Sequence, residues 1–430
     1  MALQVHQAPA GVRMPTPDTD ALVIGAGPAG GSVAIRLARL GWRVTLIEQV
    51  CFPRQKVCGE CLGPASLELL DELGLGPELR ALLGPPIRQV AWMVGKRTIV
   101  AEMPACSGGR HAHGCAIGRD CLDMLLLARA RSQGVRIVQP AKVRKILGSA
   151  GDFECVYERR DSVSRSEHRL KAALVIDAHG SWERAPDDET AAQLAGPELP
   201  PHPADLLAFK TTFEGTSLPC GLLPVLCLPG GYGGMVVADR GRTTVACCIQ
   251  RQTLRQWRVD LRGAPVGEVI EHYLRSGCAG VATALRSAQR RDAWQAVGPL
   301  RTGLRARSPR GLVRIGNAGA EAHPLIGEGI CMALQSAAIL AGFCAVRPKE
   351  LDPAYLVDVQ HAHAAACRKQ FSGRLRLAAL YAHIAMQPSL AAGTALLMRI
   401  APRLLTAGAQ LAGKARRAPP VPSPQRQAIA

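Results

Sequence analysis

The chain has 430 residues, with 52 Lys and Arg against 34 Asp and Glu, a formal net charge of +18 and 48% hydrophobic residues. That length exceeds one average domain and the apolar share is ample for a core, so two domains, or one large domain with an inserted sheet, are expected. The basic balance suits nucleic acid, an anionic membrane surface or a phosphate-rich cofactor, but the charge is scattered and no nucleic-acid motif appears, so no nucleic-acid partner is expected.

The first 18 residues contain several prolines and are predicted to be disordered, with no apolar core of a leader peptide. Then comes DALVIGAGPAGGSVAIRLARLGWRVTLIEQ. Ala21 to Ile24 is predicted as a buried parallel strand, Ser32 to Leu40 as a helix, and Arg43 to Ile47 as a second strand ending at Glu48. Gly25, Gly27 and Gly30 make a GxGxxG motif between strand and helix. The first glycine serves the tight turn, the second the approach of a pyrophosphate, and the third close helix–strand packing. Glu48 falls where a carboxylate accepts hydrogen bonds from a ribose diol. Strand, helix, second strand and acid in that order define a dinucleotide site. Its extreme N-terminal position and the later returns of the chain point to FAD.

Those returns are GRDCLDMLLLARARSQGVRIVQPAKVRKI, in which Arg119 precedes a helix and Val135 to Val143 resumes the sheet, and LKAALVIDAHGSWERA, a strand ending in a glycine turn. Ile87 to Pro104 predicts a hairpin, and Leu206 to Arg251 several strands with DRGR as a turn. A last return, GNAGAEAHPLIGEGICMALQSAAIL, crowds Gly327, Glu328 and Gly329 at the start of a long apolar helix. Beyond Arg347 the pattern is helical to about Gly413, and 415–430 is a predicted disordered tail. SLAAGTALLMRIAPRLLTAGAQLAG is interrupted by Arg399, Pro402 and Arg403, so it predicts a helix pair, or a surface touching lipid or a greasy ligand, rather than a span. Fifteen cysteines at irregular spacing predict reduced thiols in a cytoplasmic protein, with peripheral contact to the inner membrane face as an option. CGEC, Cys58 to Cys61, lacks a second ligand pair for zinc, and no metal site is expected.

On these motifs the chain resembles the flavoprotein superfamily of para-hydroxybenzoate-hydroxylase-type monooxygenases, geranylgeranyl reductases and flavin halogenases. FPRQKVCGECLGPASLELLDELGL resembles the K-x-CGE-x-L-x-P segment of the reductase branch. PGGYGGMV and GNAGAEAHPLIGEGI resemble a bacterial subgroup found near type III polyketide synthase genes. The resemblance implies an α/β fold: a Rossmann-like FAD-binding domain of glutathione-reductase type, an inserted antiparallel β-sheet substrate domain, and a helical C-terminal region. The expected segments are 19–86, 113–185 and 305–345 for the FAD domain, 87–112 and 186–304 for the substrate sheet, and 346–414 for the C-terminal helices.

Expected FAD contacts are Gly25, Gly27, Ala29, Gly30, Glu48, Arg119, Val143, Gly316, Asn317, Pro324, Gly327, Gly329 and Ile330. The helix starting near Gly327 would point its N-terminus at the flavin N1, where reduced flavin is anionic. Two departures stand out. Asn317 replaces the aspartate of the family's GD pair, and an amide oxygen can accept the same bond. His179 stands for the aspartate of the DG turn, which puts direct use of NAD(P)H in question and suggests a turn-capping or donor role.

Tyr232 and Cys58 are the candidate catalytic residues. Tyr232 falls where the reductase branch has Y-x-W-x-F-P, and Gly234 at the tryptophan position widens the cavity. The favoured activity is a monooxygenase in which reduced FAD and O2 form a C4a-hydroperoxide that hydroxylates a small hydrophobic aromatic or polyketide-type substrate. NAD(P)H or a separate flavin reductase would supply electrons. Alternatives are saturation of an isoprenoid-like C=C bond, with Cys58 and Glu60 in reach as proton donors, halogenation through Lys56, dithiol chemistry at CGEC, and a non-catalytic flavin-binding scaffold or sensor. The absence of W-x-W-x-I-P weighs against halogenation.

Overall fold

The computed structural model describes residues 17–160, 165–180, 200–305, 310–345 and 351–415. Two residues of the predicted tail are tied to the first sheet: the Asp18 carboxylate accepts the Lys171 amide at 2.8 Å, and Arg43 donates to the Pro17 carbonyl. The rest of both expected tails lies outside the described residues.

Strand β1 (Thr19–Ile24) runs into helix α1 (Pro28–Arg39) and strand β2 (Val44–Ile47). The helix starts four residues before the predicted Ser32, because Pro28 occupies its first turn with φ already fixed and no N–H to lose. Helix α2 (Pro64–Glu72) follows the CGEC segment. Strands β3 (Gln89–Val94) and β4 (Arg97–Glu102) form the predicted hairpin. Helix α3 (Arg119–Ser132) leads to β5 (Arg136–Val138), β6 (Ala141–Ser149), β7 (Asp152–Arg160) and β8 (Arg165–Asp177). Then come β9 (Leu206–Glu214), β10 (Leu222–Leu228), β11 (Gly231–Val237) and β12 (Thr243–Gln250). The C-terminal third holds α4 (Gly329–Phe343), α5 (Pro353–Met386), α6 (Pro388–Ile400) and α7 (Arg403–Leu411).

The first sheet has the order β5–β2–β1–β8–β7–β6, with Val313–Arg314 also pairing to β8. Its centre is parallel and its β6–β7–β8 edge an antiparallel meander. Central residues Ala21–Val23, Leu46 and Leu174–Ile176 are fully enclosed; α1 lies against β1 and β2 and packs in turn on α3 and α4. Continuous apolar runs are what a strand covered on both faces requires. Ile24 pairs with Ile47 on one side and Asp177 on the other, so three strands end together along one rim. Ligands of such sheets bind outside that carboxyl edge.

The second sheet runs β9–β12–β11–β10–β3–β4. It is mixed rather than wholly antiparallel, which corrects the expectation: β3 joins β10 in parallel, from Gln89 opposite Leu222 to Val94 opposite Cys227. The early hairpin reaches the sheet from a distant part of the chain, and its direction is set by that entry. The 186–304 segment was expected to be sheet, but it also contains helices at Arg251–Asp260, Val266–Gly277 and Ala279–Ala284. Val269, Ile270, Tyr273 and Leu274 are buried at helical spacing and pack with Phe209, Met235 and Val245 on one face of the sheet. On the other face Trp92, Tyr232 and Val236 pack with Ala391, Ala395, Leu405 and Ala409 of α6 and α7.

Candidate flavin and substrate site

The turn after β1 is held by contact rather than by side chains. Gly25 has φ +97°, and a Cβ there would lie 2.6 Å from the Ala178 carbonyl oxygen. A Cβ on Gly30 would lie 1.8 Å from the Gly25 oxygen, so neither position admits a side chain. Helix α1 begins with no side-chain capping bond and no acidic residue in its first turn. Its free N–H groups and dipole therefore favour an anion.

Two guanidinium groups converge on that turn. A Cβ on Gly27 would sit 3.5 Å from Arg119 Nη2 and 3.6 Å from Arg54 Nη2. Arg119, at the first turn of α3, pairs through Nε and Nη2 with Asp123 at 2.9 and 2.8 Å. Burial opposes the Arg119 charge, but Asp123 outweighs it and raises the pKa. Glu48 is buried; its Oε2 accepts the Ala26 amide at 2.8 Å, its Oε1 the Val50 amide at 3.2 Å, and Arg54 lies 3.5 Å away. A carboxylate for a ribose and two cations beside a helix N-terminus form a cradle for a nucleotide pyrophosphate.

The last return of the chain closes the rim. The Gly316 amide donates to Ser336 Oγ at 2.9 Å, and Asn317 lies in the same turn. Pro324 opens a short 3-10 turn that ends in Gly327 at φ +60°. Helix α4 starts at Gly329, two residues after the expected point, and a Cβ there would meet nothing within 4 Å. Glu328 does not cap it. Its carboxylate turns inward, with Oε1 3.4 Å from Lys414 Nζ and Oε2 3.6 Å from Arg374. The first turn of α4 is thus left open toward the cavity, where negative charge is stabilised.

The opposite wall comes from the second sheet. Tyr232, Gly234 and Met235 lie on strand β11, within the segment expected to form strands. Tyr232 is buried, its hydroxyl 3.1 Å from His323 Nδ1, whose Nε2 is 3.5 Å from Thr302 Oγ1. Burial raises the Tyr232 pKa well above its ordinary value and lowers that of His323. Cys58 is half-buried, and its sulfur accepts the Glu60 amide at 3.3 Å. Glu60, at φ +58°, is 2% exposed and accepts from Lys210 Nζ, Thr244 Oγ1 and the Arg119 amide. Cys61 is buried 3.8 Å from Lys414 Nζ, and burial raises its pKa. All fifteen cysteines are free thiols.

These parts enclose one cavity of about 690 Å³. It brings together Gly25, Gly27, Ala29, Glu48, Arg119, Val143, Gly316, Asn317, Pro324, Gly327, Gly329 and Ile330, together with Cys58 and Tyr232. Gly30 lies behind the turn, outside the lining. Lys56, Glu60 and His179 also line it. His179 stands in the turn after β8, and a carboxylate lies two residues before it. Asp177, the last residue of β8, is fully buried and accepts from the His179 ring, holding that ring at the cavity edge. Sequence reasoning missed Arg54, Lys210, Asp177 and His323. Arg54 stands four residues before Cys58 and could have been suspected from its charge beside the motif, whereas Lys210 on an apolar strand gave no signal. Among the described residues no group of three or more His, Cys, Asp or Glu is placed to hold a metal.

A nucleotide cradle on a parallel rim, continuous with an open helix N-terminus and an apolar second wall, defines a flavoprotein. Residues 18–198 match the model of the FAD binding domain family. The menaquinone reductase of Mycolicibacterium smegmatis is 26% identical over 347 residues, 75% of each chain. The 2,4-dichlorophenol 6-monooxygenase of Cupriavidus pinatubonensis is 26% identical over 192 residues, 40% of this chain and 31% of that one. Among solved structures, a myxobacterial chondrochloren halogenase superposes with TM-score 0.70 at 20% identity over 90% of both chains, which is a likeness of fold. The chain carries an FAD-binding domain and is an FAD-dependent oxidoreductase.

Proposed function

We propose that this enzyme is a monooxygenase that hydroxylates a small, hydrophobic, electron-rich substrate of aromatic or polyketide type. One observation carries the reading: every carboxylate on the cavity lining is already engaged. Glu48 is bound by Ala26, Val50 and Arg54, Glu60 by Lys210, Thr244 and Arg119, and Glu321 by Arg305. The wall around Gly234 is apolar, built from Leu223, Val225, Met235, Leu300 and Leu325. Such a wall excludes water and shapes a substrate without offering a free carboxylic acid.

Bound FAD would supply a two-electron carrier that, once reduced, reacts with O2. In this reading Gly27, Arg54 and Arg119 hold the pyrophosphate, Glu48 the ribose, and the open turn at Gly329 favours negative charge placed against it. NAD(P)H, used directly or through a separate flavin reductase, supplies the electrons. A second reading, saturation of a C=C bond, is favoured by the 75% coverage shared with a menaquinone reductase and by Cys58 and Tyr232 facing the cavity as proton donors.

The test is turnover of prereduced enzyme with and without isotopically labelled O2, against a panel of aromatic and isoprenoid substrates. Hydroxylation requires O2, incorporates one labelled atom, and tolerates Cys58→Ala. Product formed without O2 and two hydrogens heavier than its substrate, with Cys58→Ala costing on the order of 10²–10⁴ in rate, would overturn the reading in favour of saturation.

A further inference from the structure

Seven of the thirteen large exposed hydrophobic residues described lie between Leu380 and Leu411. Helix α6 packs Ala391 and Ala395, four residues apart, against the second sheet and turns Leu390, Leu396, Leu397 and Ile400 outward. Helix α7 packs Leu405 and Ala409 in the same way and turns Leu404 and Leu411 outward. Leu397 is 60% exposed and Ile400 78%. This is an organised apolar face, since the inner residues recur at helical spacing and the outer ones occupy the opposite side.

The pair is fastened to the protein beneath it. Trp92 Nε1 donates to the Ala391 carbonyl at 3.2 Å, and Thr406 Oγ1 to the Glu102 carbonyl at 2.8 Å. No single described helix is long and apolar enough to cross a membrane, and this pair is bent by 118°. With one face committed to the sheet, the helices can lie on a bilayer but not through it.

Charge selects the partner. After Asp358 the sequence contains no Asp or Glu, while Lys or Arg recurs at ten positions. Arg399 and Arg403 are exposed at the bend, and Arg376 is exposed on α5 one turn from Leu380. An acid-free helix pair with leucines outward and arginines at its margin matches the interior and headgroups of an anionic bilayer together.

We infer that α6 and α7 form a membrane-docking surface that seats the enzyme on anionic phospholipid, leucines inserted and arginines among the headgroups. The inference stands on this surface and is independent of the reaction performed in the cavity.

The test is flotation of the full-length FAD-loaded protein with vesicles of phosphatidylcholine alone or mixed with phosphatidylglycerol, at low and high salt, beside sedimentation of the protein alone. Expected is binding to the phosphatidylglycerol vesicles, weakened by salt and poor on phosphatidylcholine. Leu397→Glu with Ile400→Glu should weaken partitioning at least about a hundredfold. Arg399→Gln with Arg403→Gln should remove roughly tenfold, and only on anionic vesicles. All four side chains are exposed, so FAD content and thermal unfolding serve as unchanged controls. Absence of flotation, or wild-type flotation by the Leu397 and Ile400 variant, would overturn the inference. So would a stable dimer that Ile400→Glu dissociates, because a second copy would then cover this face.

Discussion

Lys210 and Glu60 form an ion pair between the second sheet and the CGEC segment, each 2% exposed. Lys210→Met keeps the volume and apolar stem but removes the cation. The Glu60 carboxylate would retain only Thr244 and the Arg119 amide, both neutral donors. Breaking one side of a buried pair costs about 3–5 kcal/mol, because the remaining charge has neither water nor partner. At the lower figure the folded-to-unfolded ratio falls roughly 150-fold, and over the whole range Tm should fall by about 3–6 °C for a chain of this length. Glu60→Gln added to Lys210→Met removes that charge while keeping an acceptor for Arg119, so the double variant should regain about 2 kcal/mol relative to the sum of the single changes. Differential scanning calorimetry of wild type, both single variants and the double variant measures the cycle. A Lys210→Met protein melting within about 1 °C of wild type, or a strictly additive double variant, would refute the claim that this pair ties the substrate sheet to the cavity wall.

Gly27→Val should yield folded protein without FAD. Its Cβ would meet the guanidinium ends of Arg119 and Arg54 only at ordinary contact, 3.5 and 3.6 Å, yet it would occupy the pyrophosphate approach; yellow protein with stoichiometric FAD would contradict this. His363 is buried, its Nε2 3.2 Å from the Ser336 carbonyl, and burial lowers its pKa to about 4. The unfolded chain binds the proton first as pH falls, so stability is full above about 6.5 and is lost toward pH 4, by up to about 3 kcal/mol. Denaturation profiles against pH should show that fall, and His363→Gln should flatten it.

The GxGxxG turn, its flanking strands and Glu48 could be placed from the sequence because each local element carries its own period and punctuation. Gly25 and Gly30 are required by contacts within a single strand–turn–helix unit, and such contacts leave a mark on nearby residues. The glycine cluster before α4 was visible for the same reason, although the start of the helix shifted to Gly329. In the turn after β8, His179 drew attention by type, while Asp177 looked like the end of a strand until its carboxylate met the His179 ring.

What the tertiary structure decided depends on residues far apart in the chain. Glu60 is an ordinary acid beside two cysteines until Lys210, 150 positions away, neutralises it. Glu328 is one more residue at a helix start until Lys414 and Arg374 draw its carboxylate inward. The parallel entry of β3 into the second sheet, and the split of α6 and α7 into a packed alanine face and a bare leucine face, follow from which surfaces meet. Local preference sets period and turn over a few residues. Pairing of buried charges and choice of covered face are set by desolvation and contact between distant segments, which no short stretch of sequence records.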